Sequence, residues 1–211
     1  MGRTRQRGVS TTRFQAIGLA TGAIGPVDIS IAAGECLGLS APSGAGKTRL
    51  LRAMADLDAH HGECRLDGVA AVDMPAPEWR RRVAFLAAES AWWADTPRPH
   101  FERDCAPLLD ALDLSISLLD QPIERLSSGQ KQRLALARTL ALTPDVLLLD
   151  EPTANLDDRN IERVERLVGD YLSSRRACCI WVSHDRAQRE RVASSQCQLD
   201  STGQPIEASC N

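Results

Sequence analysis

Apolar and polar positions along this chain follow two periods in turn, and the alternation predicts strands and helices in succession. Ile29-Ser30-Ile31, ahead of Gly34-Glu35, has the period-two pattern that ends a small antiparallel hairpin. Cys36 to Ser40 reads as a short buried strand running into a turn rich in Gly, Pro and Ser. Over Arg49 to Asp58 the residues Leu50, Leu51, Met54 and Leu57 stand at helical spacing and predict an amphipathic helix. Gly62 to Val69 predicts a second hairpin, and Arg82 to Ala87 a strand. From Trp92 to Arg125 the pattern changes, because Pro97, Pro99, Pro107 and Pro122 punctuate short helical stretches such as Cys105 to Leu112. A helix from about Gly129 to Leu142, a strand Val146 to Leu149, a helix Asn160 to Ser173 and a strand Cys178 to Val182 follow. Ser194 to Asn211 is polar and predicts a final strand and a loose tail. Strand–helix alternation of this kind predicts a largely parallel sheet covered by helices.

Composition narrows the class. The chain is 43% hydrophobic and 25% charged, as in a soluble globular domain. Its 25 basic and 28 acidic residues give a net charge of −3, which argues against a dedicated nucleic-acid binder. No run reaches the roughly 18 to 20 apolar residues that span a bilayer, so no direct membrane insertion is expected. The seven cysteines contain no Cys-x-x-Cys pair and are expected to be buried, reduced thiols. Cys178 and Cys179, neighbours on a strand, should point to opposite faces.

The chemistry begins at Ala41-Pro42-Ser43-Gly44-Ala45-Gly46-Lys47-Thr48, between the strand at Cys36 and the helix after it. A triphosphate needs several backbone N–H donors converging on it, and Gly44 and Gly46 allow that close approach. Ser43 and Ala45 complete the cradle, Lys47 reaches the β- and γ-phosphates, and Thr48 offers a hydroxyl to magnesium. The P-loop pattern has glycine where this chain has Ala41, which limits dihedrals and removes no ligand. Val146 to Leu149 ends in Asp150-Glu151, two carboxylates at a strand end, where ligands collect in α/β sheets. Asp150 is suited to magnesium, and Glu151 to polarising an attacking water as general base. Leu126-Ser127-Ser128-Gly129-Gln130 opens a helix with serine and glycine, a second anion-binding terminus on the same chain.

With these motifs the chain resembles the ATP-binding cassette (ABC) ATPases, from about Phe14 to Leu199. The resemblance rests on the phosphate turn, the signature segment Leu126 to Gln130, the run Asp150-Glu151-Pro152-Thr153-Ala154-Asn155-Leu156-Asp157, and the switch histidine in Ser183-His184-Asp185. It implies an α/β fold with a P-loop NTPase (RecA-like) core, a mostly parallel sheet, a small N-terminal antiparallel β-subdomain and an inserted helical subdomain. The expected single nucleotide-binding domain places its core at about 9–88 and 144–200, its helical subdomain at about 89–143, and loose tails at 1–8 and 201–211. By resemblance two cassettes pair head to tail and sandwich two ATP molecules with Mg2+. Ser127, Gly129 and Gln130 then face the nucleotide of a second copy, and Lys47, Glu151 and His184 act on it in the first. An isolated monomer should bind ATP and hydrolyse it poorly.

The resemblance also implies a partner, an integral membrane permease, and a cytoplasmic location on the inner face of the cell membrane. The compact size and the stretch Arg82 to Asp95 resemble small bacterial cassettes associated with metal export. A soluble assembly factor and a nucleotide-binding but weakly active cassette remain alternatives. Three departures bear on activity. Glu89 is the residue expected where the family carries a magnesium-ligating glutamine, and Ser128 replaces a glycine of the signature. No aromatic residue lies between Leu19 and Ile31 to stack on adenine, which leaves apolar contacts such as Ile24 and predicts little discrimination between ATP and GTP. Trp92 and Trp93 fit either a partner interface or a local core.

Overall fold

The computed structural model describes residues 12–206. Among these, nine strands form two sheets. The first is antiparallel, with β1 (Thr12–Thr21), β2 (Ile24–Ala32), β4 (His61–Leu66) and β5 (Val69–Ala70) in the order β2-β1-β4-β5. The second is parallel, with β3 (Cys36–Ser40), β6 (Val83–Leu86), β7 (Val146–Asp150), β8 (Cys178–Val182) and β9 (Ser195–Gln198) in the order β6-β7-β8-β3-β9. The α-helices are α1 (Lys47–Met54), α2 (Ala76–Arg82), α3 (Ala106–Ala111), α4 (Ser128–Ala141), α5 (Asp158–Arg175) and α6 (Arg186–Val192), with four short 3-10 turns between β5 and α4. No helix among the described residues is long and apolar enough to cross a membrane.

The parallel sheet is buried on both faces, which is why β7 (VLLLD) and β8 (CCIWV) are continuous apolar runs rather than alternating ones. Cys178, Ile180 and Val182 pack on the side of α1 and the antiparallel sheet, while Cys179 and Trp181 pack on the side of α4 and α5. The two neighbouring cysteines thus point to opposite faces, as their strand period requires. Burial pushes the Cys178 thiol up to about 12, so it stays protonated and packs as a small apolar group. Cys197 departs from the expectation of reduced thiols, being disulfide-bonded.

Helix α1 begins two residues before the predicted start and ends earlier than Asp58. Gly46 stands at φ 87°, a left-handed turn that lets the helix open directly at Lys47. At the other end the buried Trp79 of α2 donates its indole N–H to the Met54 carbonyl at 3.0 Å, and Asp56 reverses the chain at φ 55°. The two sheets are joined by an ion-pair cluster in which Arg13 and Arg82 share Asp145 and Asp67.

Residues 201–206 are not part of a loose tail. Gly25 N–H donates to the Gly203 carbonyl at 3.3 Å, Leu199 pairs with Pro205, and the Gln204 side chain bonds the Gly25 carbonyl. The backbone donors of this turn go to the Asp200 carboxylate and to the carbonyls of Asp200 and Gln198, while its Gly203 carbonyl accepts from the β1–β2 hairpin, which holds it down. Residues 1–8 and 207–211, the remainder of the expected tails, lie outside the described residues.

Candidate functional site

The strand β3 leads into the phosphate turn, and the C-terminal ends of β7 and β8 deliver Asp150, Glu151 and His184 beside it. A cavity of about 290 Å³ is lined by Ser43, Gly44, Gly46, Lys47, Thr48, Ala88, Asp150, Glu151 and His184. Gly44 (φ 80°) and Gly46 (φ 87°) supply the left-handed backbone that turns the amides inward. A methyl group built on Gly46 would stand 2.0 Å from Ile24 Cδ1, so the second glycine is also required by close packing.

Lys47 is buried, and its Nζ donates to the carbonyls of Ala41 at 2.9 Å and Pro42 at 3.4 Å. Desolvation lowers its pKa, and the facing carboxylates of Glu151 and Asp150 work against that shift. Thr48 Oγ1 donates to Asp150 Oδ2 at 2.5 Å. Two hard oxygen donors thus meet at the cavity floor, which fits Mg2+: it takes one or two protein oxygens, phosphate oxygens and water. Thr48 and Asp150 are the residues that could hold it.

Glu151 sits just past the end of β7 at φ 48°, a left-handed conformation that costs a side chain with a Cβ about 1–2 kcal/mol. Such local strain collects at functional sites. Its Oε1 is buried with no hydrogen-bond partner among the described residues, and His184 Nε2 stands 3.5 Å away. Burial raises the Glu151 pKa, His184 opposes the shift, and the neighbouring Asp150 charge adds to it. A base must be ionised to accept a proton, so raising its pKa moves the acid limb of activity to higher pH. A pH–rate profile for phosphate release should therefore lose activity on the acid side above the ordinary glutamate range, and the Glu151 variant should lack that limb.

The loop after Glu151 is fixed from below. Thr153 Oγ1 and the Gln188 side chain bond each other at 2.9 to 3.1 Å, Gln188 Nε2 reaches Glu165 at 2.9 Å, and Arg191 clamps Glu165 at 2.7 Å. Arg189 donates to the Ser183 carbonyl, next to His184. Gln188, Glu165, Arg189 and Arg191 belong to no motif, so only the packing of α5 on α6 reveals them.

Ser127, Gly129 and Gln130 do not line the cavity. Ser127 caps α4: its Oγ accepts from Gln130 N–H at 3.1 Å, and Gln130 Oε1 accepts from Ser127 N–H at 2.9 Å. Gly129 lies against the Asn155–Leu156 turn, where an added Cβ would be 3.1 Å from Leu156 Cδ2 and 3.4 Å from the Asn155 carbonyl. Ser128, the first residue of α4, is exposed, so its hydroxymethyl group fits without displacement.

Glu89, expected as a magnesium ligand, does not line the cavity. The chain leaving β6 turns Ala88 into the cavity and leaves Glu89 exposed. The turn after Leu86 brings its second residue inward, one position earlier than a count along the sequence suggested. Glu89→Gln is therefore expected to leave phosphate release and its magnesium dependence unchanged, a result checked by titrating the metal. Ile24 also differs from expectation: it is 6% exposed, wedged between Gly46 and Gly203, and offers no face to a base.

A phosphate cradle at the carboxyl edge of a parallel sheet, with an acid pair and a histidine around it, defines a P-loop nucleotide-binding protein. Residues 24–154 match the ABC transporter family, and the chain belongs to it. It is 32% identical to the probable iron export ATP-binding protein FetA of Escherichia coli over 173 residues, 76% of this chain and 77% of that protein. It is 37% identical to Protein STAR1 of Oryza sativa over 186 residues, covering 82% of this chain and spanning 54% of the rice protein. In fold it is similar to a dimeric ATP-binding cassette in a post-hydrolysis state bound to ADP and Pi. That match has a TM-score of 0.79 at 22% identity and covers 92% of this chain and 97% of that one.

Proposed function

We propose that this chain is the ATP-hydrolysing subunit of a transporter, driving a separate membrane permease from the cytoplasmic face. The observation that carries the reading is the division of one reaction site between two surfaces. The cavity gathers Lys47, Thr48, Asp150, Glu151 and His184, while the capped helix start at Ser127–Gly129 lies apart from it, with Ser127 and Ser128 exposed and Gly129 half-buried. An anion-binding terminus outside the cavity of its own chain has a use when a second copy presents it to the γ-phosphate.

In this reading the backbone of Ser43 to Thr48 cradles the phosphates and Lys47 neutralises them. Thr48 and Asp150 would hold Mg2+, which would supply charge neutralisation at the phosphates. Glu151 accepts a proton from the water that attacks the γ-phosphorus, and ADP leaves with the β–γ bridging oxygen. His184 donates a hydrogen bond to the γ-phosphate. FetA is named for probable iron export, which supports transport as the class of work.

Trp93 is the side chain we assign to the permease contact. It is 76% exposed and tilts over His100 at 4.4 Å, whereas Trp92 is half-buried with Arg138 over its ring at 4.5 Å. Affinity capture of the tagged chain from detergent-solubilised membranes tests the whole reading. Recovery of an integral membrane protein is expected, and Trp93→Ala should lose that protein while keeping ATP turnover. Recovery of soluble proteins alone would shift the reading to an assembly factor.

A further inference from the structure

The structure assigns a face for the base of the nucleotide that the β1–β2 turn does not supply through an aromatic ring. The turn Thr21-Gly22-Ala23 offers an exposed glycine and an exposed alanine, and Ile24 is buried beneath them. Over Gly22 lies the guanidinium of Arg49. A Cβ built on that glycine would stand 3.2 Å from Nη1, 3.6 Å from Cζ and 3.8 Å from Nη2. All three atoms lie within 3.8 Å of one point over the turn, so the guanidinium rests against Gly22.

Arg49 is exposed and its side chain forms no hydrogen bond or ion pair among the described residues. Asp58, whose carboxylate feels the Arg49 charge, is already held by Arg52 through two bonds of 2.8 Å. The guanidinium therefore rests against Gly22 on an exposed side chain, available for a second contact.

The direction of the nucleotide follows from the site. Asp150, Glu151 and His184 mark the end of the cavity where the terminal phosphate is attacked. The other end of the triphosphate leaves over Thr48, next in sequence to Arg49, where Ile24 brings the β1–β2 turn against Gly46. The nucleoside thus emerges beside the Arg49–Gly22 platform.

We propose that Arg49 is the platform on which the base rests, a positioning residue for the nucleotide; this rests on the ATP reading above. A guanidinium stacks on the π-face of a purine through its plane and charge. Every purine presents such a face, so the contact holds ATP and GTP alike. Lysine would keep the charge and lose the plane.

The test is equilibrium binding to the full chain without magnesium, so that no turnover intervenes. The ligands are ATP, GTP and inorganic tripolyphosphate, and the variants are Arg49→Ala, Arg49→Lys and Arg49→Trp. Arg49→Ala is expected to weaken ATP and GTP by about tenfold and to leave tripolyphosphate unchanged. Arg49→Lys should lose most of the same increment, and Arg49→Trp should restore it. Equal losses for ATP and tripolyphosphate would make Arg49 a phosphate contact and overturn the base assignment. Unchanged ATP binding in Arg49→Ala would overturn it as well, with the triphosphate site left standing. A wild-type chain that binds neither ATP nor tripolyphosphate would overturn both readings at once. Arg49 is exposed and belongs to neither hydrophobic core cluster, so circular dichroism should report an unchanged fold in each variant.

Discussion

Glu151→Gln is expected to lower ATP turnover by about a hundredfold or more and to leave ATP affinity intact. The amide keeps the shape of the carboxylate in a site where Oε1 is buried and without a partner, and it removes the ability to take a proton. Lys47 and the Ser43–Thr48 backbone, proposed to carry the phosphate contacts, are untouched, so binding and chemistry should separate cleanly. A second readout follows from linkage. Burial raises the Glu151 pKa in the folded chain, so its contribution to stability is present at low pH and is lost as pH rises through the folded value. Near neutrality the ionised group therefore costs stability, and the uncharged glutamine should raise the thermal midpoint as it abolishes turnover. Phosphate release, nucleotide binding and a melting curve measure the three effects. Retained turnover would remove Glu151 from the role of base, whatever happened to the midpoint.

Much of this site is legible in the residues because it depends on backbone and spacing. Gly44, Gly46, Lys47 and Thr48, which line the cavity, stand next to one another in the chain. The runs Val146 to Leu149 and Cys178 to Val182 admit only a strand buried on both faces, so the positions of Asp150 and His184 follow. What failed to show depends on turns and on packing between distant segments. The inward residue after β6 is decided by how the chain turns beyond Leu86, and a one-residue difference exchanged Glu89 for Ala88. Ile24 looked like an open apolar surface until the Gly203 turn covered it, a contact between opposite ends of the chain. The Thr153–Gln188–Glu165 network joins three elements and leaves no local pattern.

Gly129→Asp should abolish turnover and ATP-driven pairing while the isolated subunit still binds ATP. Its own cavity excludes Gly129, so the phosphate contacts of that chain remain. The fold tolerates the change: the new Cβ would press on Leu156 Cδ2 at 3.1 Å, the end of a flexible side chain, and an acid in the first turn of α4 suits the helix dipole. The carboxylate would meet the γ-phosphate of a second copy, where like charges oppose each other in a site that otherwise supplies donors. Losing one such donor costs about 10²–10³ in rate, and repulsion adds to it. The decisive comparison mixes Gly129→Asp with Lys47→Ala. If each site joins the phosphate turn of one copy to the helix start of the other, the mixed dimer contains one intact site, made from the Lys47 of the first variant and the Gly129 of the second. Mixing should then recover activity that neither variant has alone. If both segments act within a single chain, every subunit in the mixture carries a lesion, and mixing recovers nothing.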